Sequence, residues 1–426
     1  MAYSKRSALF AVTAPGLERI TALELQALGI RAAAEKGGVS FRGDARALYS
    51  ANLHLRTASR VVVRLAHFHA STFHELERRA RKISWADHLS AQSSVRLRVT
   101  CRKSRLYHSD AVAERMYAAI ERSCGSITRV AGDDADDTDE AATTASQLFI
   151  VRIVNDECEI SIDSSGDLLH RRGYRQEVAK APLRETLAAA MILSSGWKKE
   201  QVLADPMCGS GTIPIEAAMI ARNIAPGRTR QFAFMRWPDF DEAIWRDLHE
   251  RAESGATRVG TSLIFGSDRD AGAIESAERN AARARVSEDV HLSVNALSAS
   301  LTGLTAANPG GGWVMVNPPY GVRVGDPSSL RNLYATLGRS VSREPGWSLG
   351  ILSADKLLAR QTGIALRSGF ATTNGGIPVS FLASAKAGDS GADRVVEDGT
   401  ITRKPRKAGK RRPGRSGVAG KEESRA

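Results

Sequence analysis

The sequence has few cysteines and no long apolar run. Its four cysteines, Cys101, Cys124, Cys158 and Cys208, are scattered along 426 residues without a close pair. That spacing excludes a disulfide framework and a zinc motif and favours a reducing compartment, so we expect a cytoplasmic protein without a metal site. No apolar stretch approaches the roughly 20 residues of a membrane span. Residues 1–10 also lack the apolar core of a signal peptide.

Positive charge is abundant but unevenly distributed. The formal net charge is +13, and residues 403–426, with ten Lys or Arg and two Glu, carry +8 of it. This tail is rich in Gly and Pro and nearly without apolar residues, which predicts disorder. It is either a solubilising tail or an arm that tethers RNA non-specifically, with an affinity that falls steeply as salt rises.

Hydrophobic patterning divides the rest of the chain into three parts, as expected for its length. Residues 1–45 predict a small α/β piece, and residues 46–164 a second α/β unit with a mobile acidic loop at 133–140. Over residues 165–386 strands and helices alternate, which predicts a mostly parallel sheet. Residues 387–426 are a linker and the basic tail.

The first motif that carries chemistry is residues 205–212 (DPMCGSGT), directly after an apolar run. Glycines after a strand let the backbone approach a ligand closely, and a following helix, predicted over 212–222, aims N–H groups at it. The loop lacks the Lys-Ser/Thr of a Walker loop, and Pro214 stands where a dinucleotide fingerprint has glycine. Asp268 ends the next strand, where a carboxylate can bind both ribose hydroxyls. The structural alternative for the glycine loop is an ordinary tight turn between strand and helix. For Asp268 it is a surface residue that caps the next helix.

The second motif is residues 317–320 (NPPY), which end another apolar run. The exocyclic amine of a nucleobase is a poor nucleophile because its lone pair is delocalised into the ring. The Asn317 oxygen and the Pro318 carbonyl can accept its two N–H groups and draw the nitrogen toward sp³ geometry. Tyr320 can stack on the base, although a Pro-rich turn with Tyr320 in the core is the alternative. The target base must be flipped or unpaired, since a duplex buries this atom.

With both motifs in this order, residues 5–385 resemble the THUMP-domain class I RNA methyltransferases that make N2-methylguanosine in large-subunit ribosomal RNA. Residues 169–175 (LHRRGYR) are similar to the segment that joins the THUMP module to the catalytic domain, and residues 102–109 (RKSRLYHS) are the most THUMP-like run. The resemblance implies a ferredoxin-like piece, a THUMP domain and a Rossmann-like domain with a mostly parallel seven-stranded sheet. It also implies S-adenosylmethionine as cofactor, guanine N2 as target and an RNA substrate, ribosomal or transfer RNA, held by the THUMP module.

Motifs and resemblance together give three sets of candidate residues. The catalytic set is Asn317, Pro318, Pro319 and Tyr320. The cofactor-binding set is Asp205, Pro206, Cys208, Gly209, Gly211, Thr212, Asp268, Arg269 and Asn295. The RNA-binding set is Arg96, Arg102, Lys103, Arg105, Arg171, Arg172 and Arg175, for which a solvated face or interdomain ion pairs are the alternatives. Asn295 stands where the family commonly has an Asp that contacts the adenine amine, and an Asn oxygen can still accept that hydrogen bond.

The motifs alone leave the substrate open. The tetrapeptide serves any planar exocyclic amine, so guanine in transfer RNA and adenine N6 in RNA or DNA are alternatives. The THUMP-like run favours RNA over DNA. An RNA-binding assembly factor with an inactive core is the non-enzymatic alternative, against which the intact motifs argue.

Overall fold

The chain folds into two β-sheets with helices packed against them. The computed structural model describes residues 6–130, 146–176, 183–257, 263–319, 327–343 and 345–384. The basic tail, the acidic loop at 133–140 and Tyr320 lie outside the described residues. In the part of the chain that is described, no helix is both long and apolar enough to cross a membrane.

The N-terminal part builds the first sheet. Its elements are β1 (Ser7–Thr13), α1 (Glu18–Ala27), β2 (Ala32–Glu35), β3 (Gly38–Gly43), α2 (Ala45–His54), β4 (Ala58–His69), α3 (Phe73–Ala80), β5 (Ser94–Arg102), α4 (Ser109–Cys124), β6 (Thr128–Val130), β7 (Gln147–Val154) and β8 (Glu157–Asp163). The strand order is β2-β3-β1-β4-β8-β7-β5-β6. Because β4 pairs with both β1 and β8, the two N-terminal parts inferred from the sequence share one continuous sheet. The boundary at residue 45 therefore stays a prediction.

Local sequence signals account for most of these elements. An Asn-Asp pair between two apolar runs predicts a hairpin turn at Asn155 and Asp156. The hairpin is confirmed, since both residues adopt left-handed φ values of 52° and 64°, as a tight two-residue turn requires. The side chain of Asp44 caps α2 and that of Thr72 caps α3. Serine often caps helices, and on that ground Ser109 is the expected cap of α4, but this expectation is wrong. The cap position is His108, which makes no side-chain capping bond, and Ser109 is the first helical residue.

The C-terminal part builds the second sheet. Its elements are α5 (Glu185–Ser195), β9 (Val202–Asp205), α6 (Thr212–Ala221), α7 (Glu242–Ser254), β10 (Ile264–Asp268), α8 (Ala271–Ala284), β11 (Val290–Val294), α9 (Leu297–Ala307), β12 (Gly312–Val316), α10 (Pro327–Ser342), β13 (Trp347–Ser353), α11 (Lys356–Arg360), β14 (Leu366–Asn374) and β15 (Ile377–Ser384). Its order is β11-β10-β9-β12-β13-β15-β14, and only β15 among these strands runs antiparallel to its neighbours. The expected mostly parallel seven-stranded sheet is confirmed.

The two central strands of this sheet explain why the sequence shows continuous apolar runs before each motif. All residues of β9 and β12 are buried, because helices cover both faces of a parallel sheet. The chain steps from β9 to β10 and β11 on one side and then returns to β12 on the other. The strand order therefore reverses between β9 and β12, and such a switch point opens a crevice at the carboxyl ends of the strands.

The segment between α6 and β10 connects the two parts. Its aromatic residues Phe232, Phe234 and Trp237 belong to the hydrophobic core of the first sheet. The Phe234 ring stacks on Tyr49 of α2 with centroids 4.3 Å apart, and Trp237 Nε1 donates to Gln147 Oε1 of β7 at 2.8 Å. This segment thus holds the C-terminal part against the N-terminal sheet.

Buried charges form a second connection. Arg172 Nε lies 3.4 Å from Glu216 Oε1 of α6, and both side chains are at most 1% exposed. Arg172 also donates to the Arg56 carbonyl at 2.6 Å, and the Tyr174 hydroxyl donates to the same Glu216 oxygen at 3.1 Å. Arg175 pairs with Glu185 at 3.0 Å and is 8% exposed. The RNA-binding prediction therefore needs correction at Arg172 and Arg175, because internal ion pairs occupy both guanidinium groups.

Removing the charge of Glu216 should test this connection. We expect Glu216→Gln to lower the unfolding free energy by about 3–5 kcal/mol, because it leaves the buried Arg172 charge without a carboxylate. Tyr174→Phe, the matched control, removes one hydrogen bond to the same oxygen and should cost about 1 kcal/mol. Urea unfolding followed by circular dichroism measures both. Equal losses in the two variants would contradict the assignment.

Candidate active site

Polar residues line the crevice at the switch point. Asp205 ends β9, Asp268 ends β10, Asn295 directly follows β11 and Asn317 directly follows β12. These four strands are parallel neighbours in the order β11-β10-β9-β12. Their carboxyl ends therefore meet at one edge of the sheet, and the two motifs, 105 residues apart in sequence, lie side by side.

The glycine loop between β9 and α6 has two left-handed glycines with different roles. Gly211, with φ of 85°, is the cap residue of α6, and a Cβ there would lie 2.9 Å from the Cβ of Ala277 on α8. Gly209 has φ of 54°, and a Cβ there would meet no atom within 4 Å. Gly211 is thus required by helix packing, whereas Gly209 borders open space that a ligand can occupy.

The position of this loop depends on two side chains from other elements. Asp268 Oδ2 accepts from the Gly209 N–H at 3.0 Å, and its Oδ1 accepts from the Asp270 N–H at 3.1 Å. The buried Asn280 of α8 donates from Nδ2 to the Ser210 carbonyl at 3.0 Å. Sequence reasoning gave Asn280 no role at the site. The sequence signal that could have revealed this role is an amide side chain on the apolar face of α8, because a buried amide needs a polar partner.

Asp205 is a buried acid. It is 3% exposed, and its Oδ1 accepts from the Met207 N–H at 3.1 Å. Burial raises the pKa of Asp205 to about 8, and the nearby negative charge of Asp268 adds to the rise. The carboxyl group is therefore mostly protonated at neutral pH unless a cation lies against it.

Asn317 presents a hydrogen-bond acceptor without a donor. Its Oδ1 is buried and has no hydrogen-bond partner among the described residues. Pro318 is buried, and Pro319 is exposed. A buried acceptor without a partner costs about 1–3 kcal/mol, so this oxygen is placed for a donor that the described residues do not supply. Tyr320, the last residue of the motif, lies outside the described residues.

The other predicted cofactor residues divide between the core and the rim. Pro206, Cys208 and Thr212 are buried under the loop. The Cys208 thiol approaches the Gly209 carbonyl at 3.7 Å, and burial raises its pKa well above the usual range, so it serves packing. Arg269 and Asn295 are exposed at the mouth of the crevice. In the described residues no group of His, Cys, Asp and Glu is arranged to hold a metal ion.

Four of the five remaining predicted RNA-binding residues lie on β5 and the loop that leads to α4. Arg102, Lys103 and Arg105 are exposed, and Arg96 is half-buried on β5. The loop is held to the hairpin between β7 and β8, because the Arg105 N–H donates to Asp156 Oδ1 at 2.7 Å. Tyr107 beside them is 69% exposed, an aromatic group that sequence reasoning did not assign. Arg171 is half-buried in the segment that joins the two parts.

The raised pKa of Asp205 predicts how stability changes with pH. The unfolded chain loses this proton near 3.8, while the folded protein keeps it to about 8. The folded state binds more protons in that window, so this residue lowers the unfolding free energy as pH rises through it. We expect Asp205→Asn to stabilise the protein by a few kcal/mol at pH 8 and much less at pH 5.

Urea unfolding at a series of pH values measures this effect. The matched control is Asp247→Asn, because Arg46 and Arg251 lower the pKa of the Asp247 carboxyl. This control should show no gain that grows with pH. A gain for Asp205→Asn that is the same at pH 5 and pH 8 would contradict the raised pKa.

Comparison with known proteins places the chain in a family. The profile of the RMKL-like methyltransferase domain (UPF0020) matches residues 172–375, and that of the RlmL ferredoxin-like domain matches residues 8–62. A putative RNA methyltransferase, slr0064, from Synechocystis sp. is 34% identical over 378 residues, which is 88% of this chain and 95% of that protein. The ribosomal RNA large subunit methyltransferase K/L of Syntrophotalea carbinolica is 35% identical over 387 residues. The match covers 88% of this chain but only 53% of that protein.

A solved structure shows the same fold. The crystal structure of SMU.472, a putative methyltransferase complexed with SAH, is 31% identical and superposes with a TM-score of 0.77 over 89% of this chain and 98% of that one. These matches cover the N-terminal sheet and the sheet with both motifs. The chain therefore belongs to the RMKL-like methyltransferase family and is an S-adenosylmethionine-dependent methyltransferase.

Proposed function

We propose that this protein methylates the exocyclic N2 amine of a guanine in large-subunit ribosomal RNA, in the cytoplasm. The observation that carries the proposal is the buried Oδ1 of Asn317, which lies at the carboxyl end of β12 beside the glycine loop and has no hydrogen-bond partner among the described residues. The names of the relatives support RNA as the substrate. An amine with two N–H groups is the donor that such an acceptor fits.

The crevice fits S-adenosylmethionine. A cationic amino group beside Asp205 would pair with its carboxylate and favour loss of the proton that burial retains there. The two oxygens of Asp268 each accept one backbone N–H and keep lone pairs for ribose hydroxyls. Open space at Gly209 admits the ligand to the backbone, and the exposed Asn295 offers an amide at the adenine end.

Catalysis in this site depends mainly on positioning. The bound cofactor supplies an electrophilic methyl group. Asn317 Oδ1 and the Pro318 carbonyl accept the two amine N–H groups, which directs the nitrogen lone pair out of the ring plane and toward the cofactor side of the crevice. Proline fixes the backbone of this turn, so the acceptors need little reorganisation. Transfer would leave the methylated nitrogen with a positive charge, and this cation is a strong acid that loses its proton to water without a strong base.

One experiment tests substrate and reaction together. The protein is incubated with labelled S-adenosylmethionine and separated large-subunit, small-subunit and transfer RNA from cells that lack the gene, and nucleosides are analysed by mass spectrometry. We expect N2-methylguanosine in large-subunit RNA. Label in transfer RNA would identify transfer RNA as the substrate instead, and N6-methyladenine would identify adenine N6 as the target atom instead. No label in any RNA, despite cofactor binding, would contradict the proposed function.

Substitution of Asn317 tests its role. We expect Asn317→Ala to reduce kcat by about 10²–10³-fold, as loss of one aligned polar contact does in other enzymes, with cofactor affinity unchanged in calorimetry. Its stability should change little, because Asn317 Oδ1 accepts no hydrogen bond from the described residues. Asn317→Asp keeps an acceptor and should retain more activity than the Ala variant. Full activity of Asn317→Ala would disprove the assignment.

A further inference from the structure

The two faces of the first sheet differ near its N-terminal edge. On one face, Leu9 and Ala11 of β1 and Val39 and Phe41 of β3 are buried in the hydrophobic core. Ala8 and Phe10 alternate to the opposite face, where they are only half-buried. Ala8 lies in a cross-strand row between Arg42 of β3 and Arg64 of β4. A small residue between two arginines leaves a depression in this face of the sheet.

Ala8, Arg42 and Arg64 are among the residues that line a groove of about 840 Å³. Small residues form much of its lining: Ala8, Gly29, Ala32, Ala33, Ser40, Gly43 and Ala47. Four arginines also line it: Arg6, Arg31, Arg42 and Arg64. Its one acidic lining residue, Asp44, accepts the Ala47 N–H at 3.0 Å as the cap of α2. The lining therefore has a clear excess of positive charge.

The four arginines fall into two groups. Arg64 is held in place and neutralised, since it pairs with Glu35 at 3.2 Å and Glu159 at 3.1 Å and lies over the Phe10 ring at 4.2 Å. Arg6, Arg31 and Arg42 are exposed. No ion pair joins any of these three to a carboxylate of the described residues. Arg42 Nη2 donates to the Arg6 carbonyl at 3.3 Å, and its other N–H groups can still bind an anion. Three guanidinium groups without a carboxylate partner among the described residues therefore line one groove.

We propose that this groove binds backbone phosphates of the RNA substrate through Arg6, Arg31 and Arg42. Guanidinium groups match phosphate oxygens in a two-pronged geometry, and the small lining residues let a sugar–phosphate chain lie close to the sheet. The inference rests on the proposed function for the identity of the ligand as RNA. It adds a contact surface on the ferredoxin-like part, separate from the basic loop after β5.

The test uses the double variant Arg31→Gln/Arg42→Gln in the full chain. Binding of a labelled single-stranded RNA of mixed sequence is measured by fluorescence anisotropy over a range of salt concentrations. Loss of two phosphate contacts should reduce the slope of log affinity against log salt by about 1.4 to 1.8. Affinity should fall by about tenfold or more at low salt.

The matched control is Arg246→Gln/Arg251→Gln. It removes the same charge from exposed arginines of α7, where both are in ion pairs within the helix. A salt slope like that of the wild type is expected for this control. Equal salt slopes in the two double variants, with equal melting temperatures, would overturn the proposal and favour an acidic protein partner for the groove.

Methylation assays separate this inference from the proposed function. With ribosomal RNA as substrate, Arg31→Gln/Arg42→Gln should raise KM by about tenfold with kcat unchanged, because the contact is equally strong in ground and transition states. If the wild type methylates no RNA but its RNA binding depends on Arg31 and Arg42, the groove stands and the function fails. If methylation is normal and both variants bind alike, the groove alone fails.

Discussion

The buried contact between Arg172 and Glu216 fixes the glycine loop relative to the rest of the protein. Glu216 lies on α6, the helix that begins at Thr212 directly after the glycine loop. Arg172 reaches this carboxylate from the segment between the two sheets and also donates to the carbonyl of Arg56, next to β4. A shift of α6 would break these bonds, so the N-terminal sheet and the glycine loop are held as one unit.

An apolar junction of the same size would be at least as stable, because removing ions from water costs several kcal/mol per ion. Polar bonds instead impose direction. The Arg56 guanidinium donates to the Ile224 carbonyl just beyond α6 at 2.6 Å, while Arg172 donates to the Arg56 carbonyl. Each bond is satisfied at one relative placement of the two parts. The aromatic insertion at Phe234 adds apolar area but little direction.

Signals within one stretch of chain were readable from the sequence, whereas contacts between distant stretches were not. The apolar runs of β9 and β12, the glycine turn and the hairpin at Asn155 each follow from neighbouring residues, and all appear as predicted. Arg172 looked like an RNA contact because its partner Glu216 is 44 residues away and on another element. The hydrogen bond from the Gly209 N–H to Asp268 likewise depends on the order of strands in space.

The polar residues of the crevice also differ in where their hydrogen-bond partners come from. Asn280 and Asp268 complete their hydrogen bonds within the protein, and they hold the loop. Asp205 is a buried acid that retains its proton, and Asn317 has a buried oxygen with no donor among the described residues. Both lie at the switch point, where the fold leaves a crevice. A cationic amine at the first and a neutral amine at the second would relieve both costs, so both groups suit the ligands proposed for this crevice.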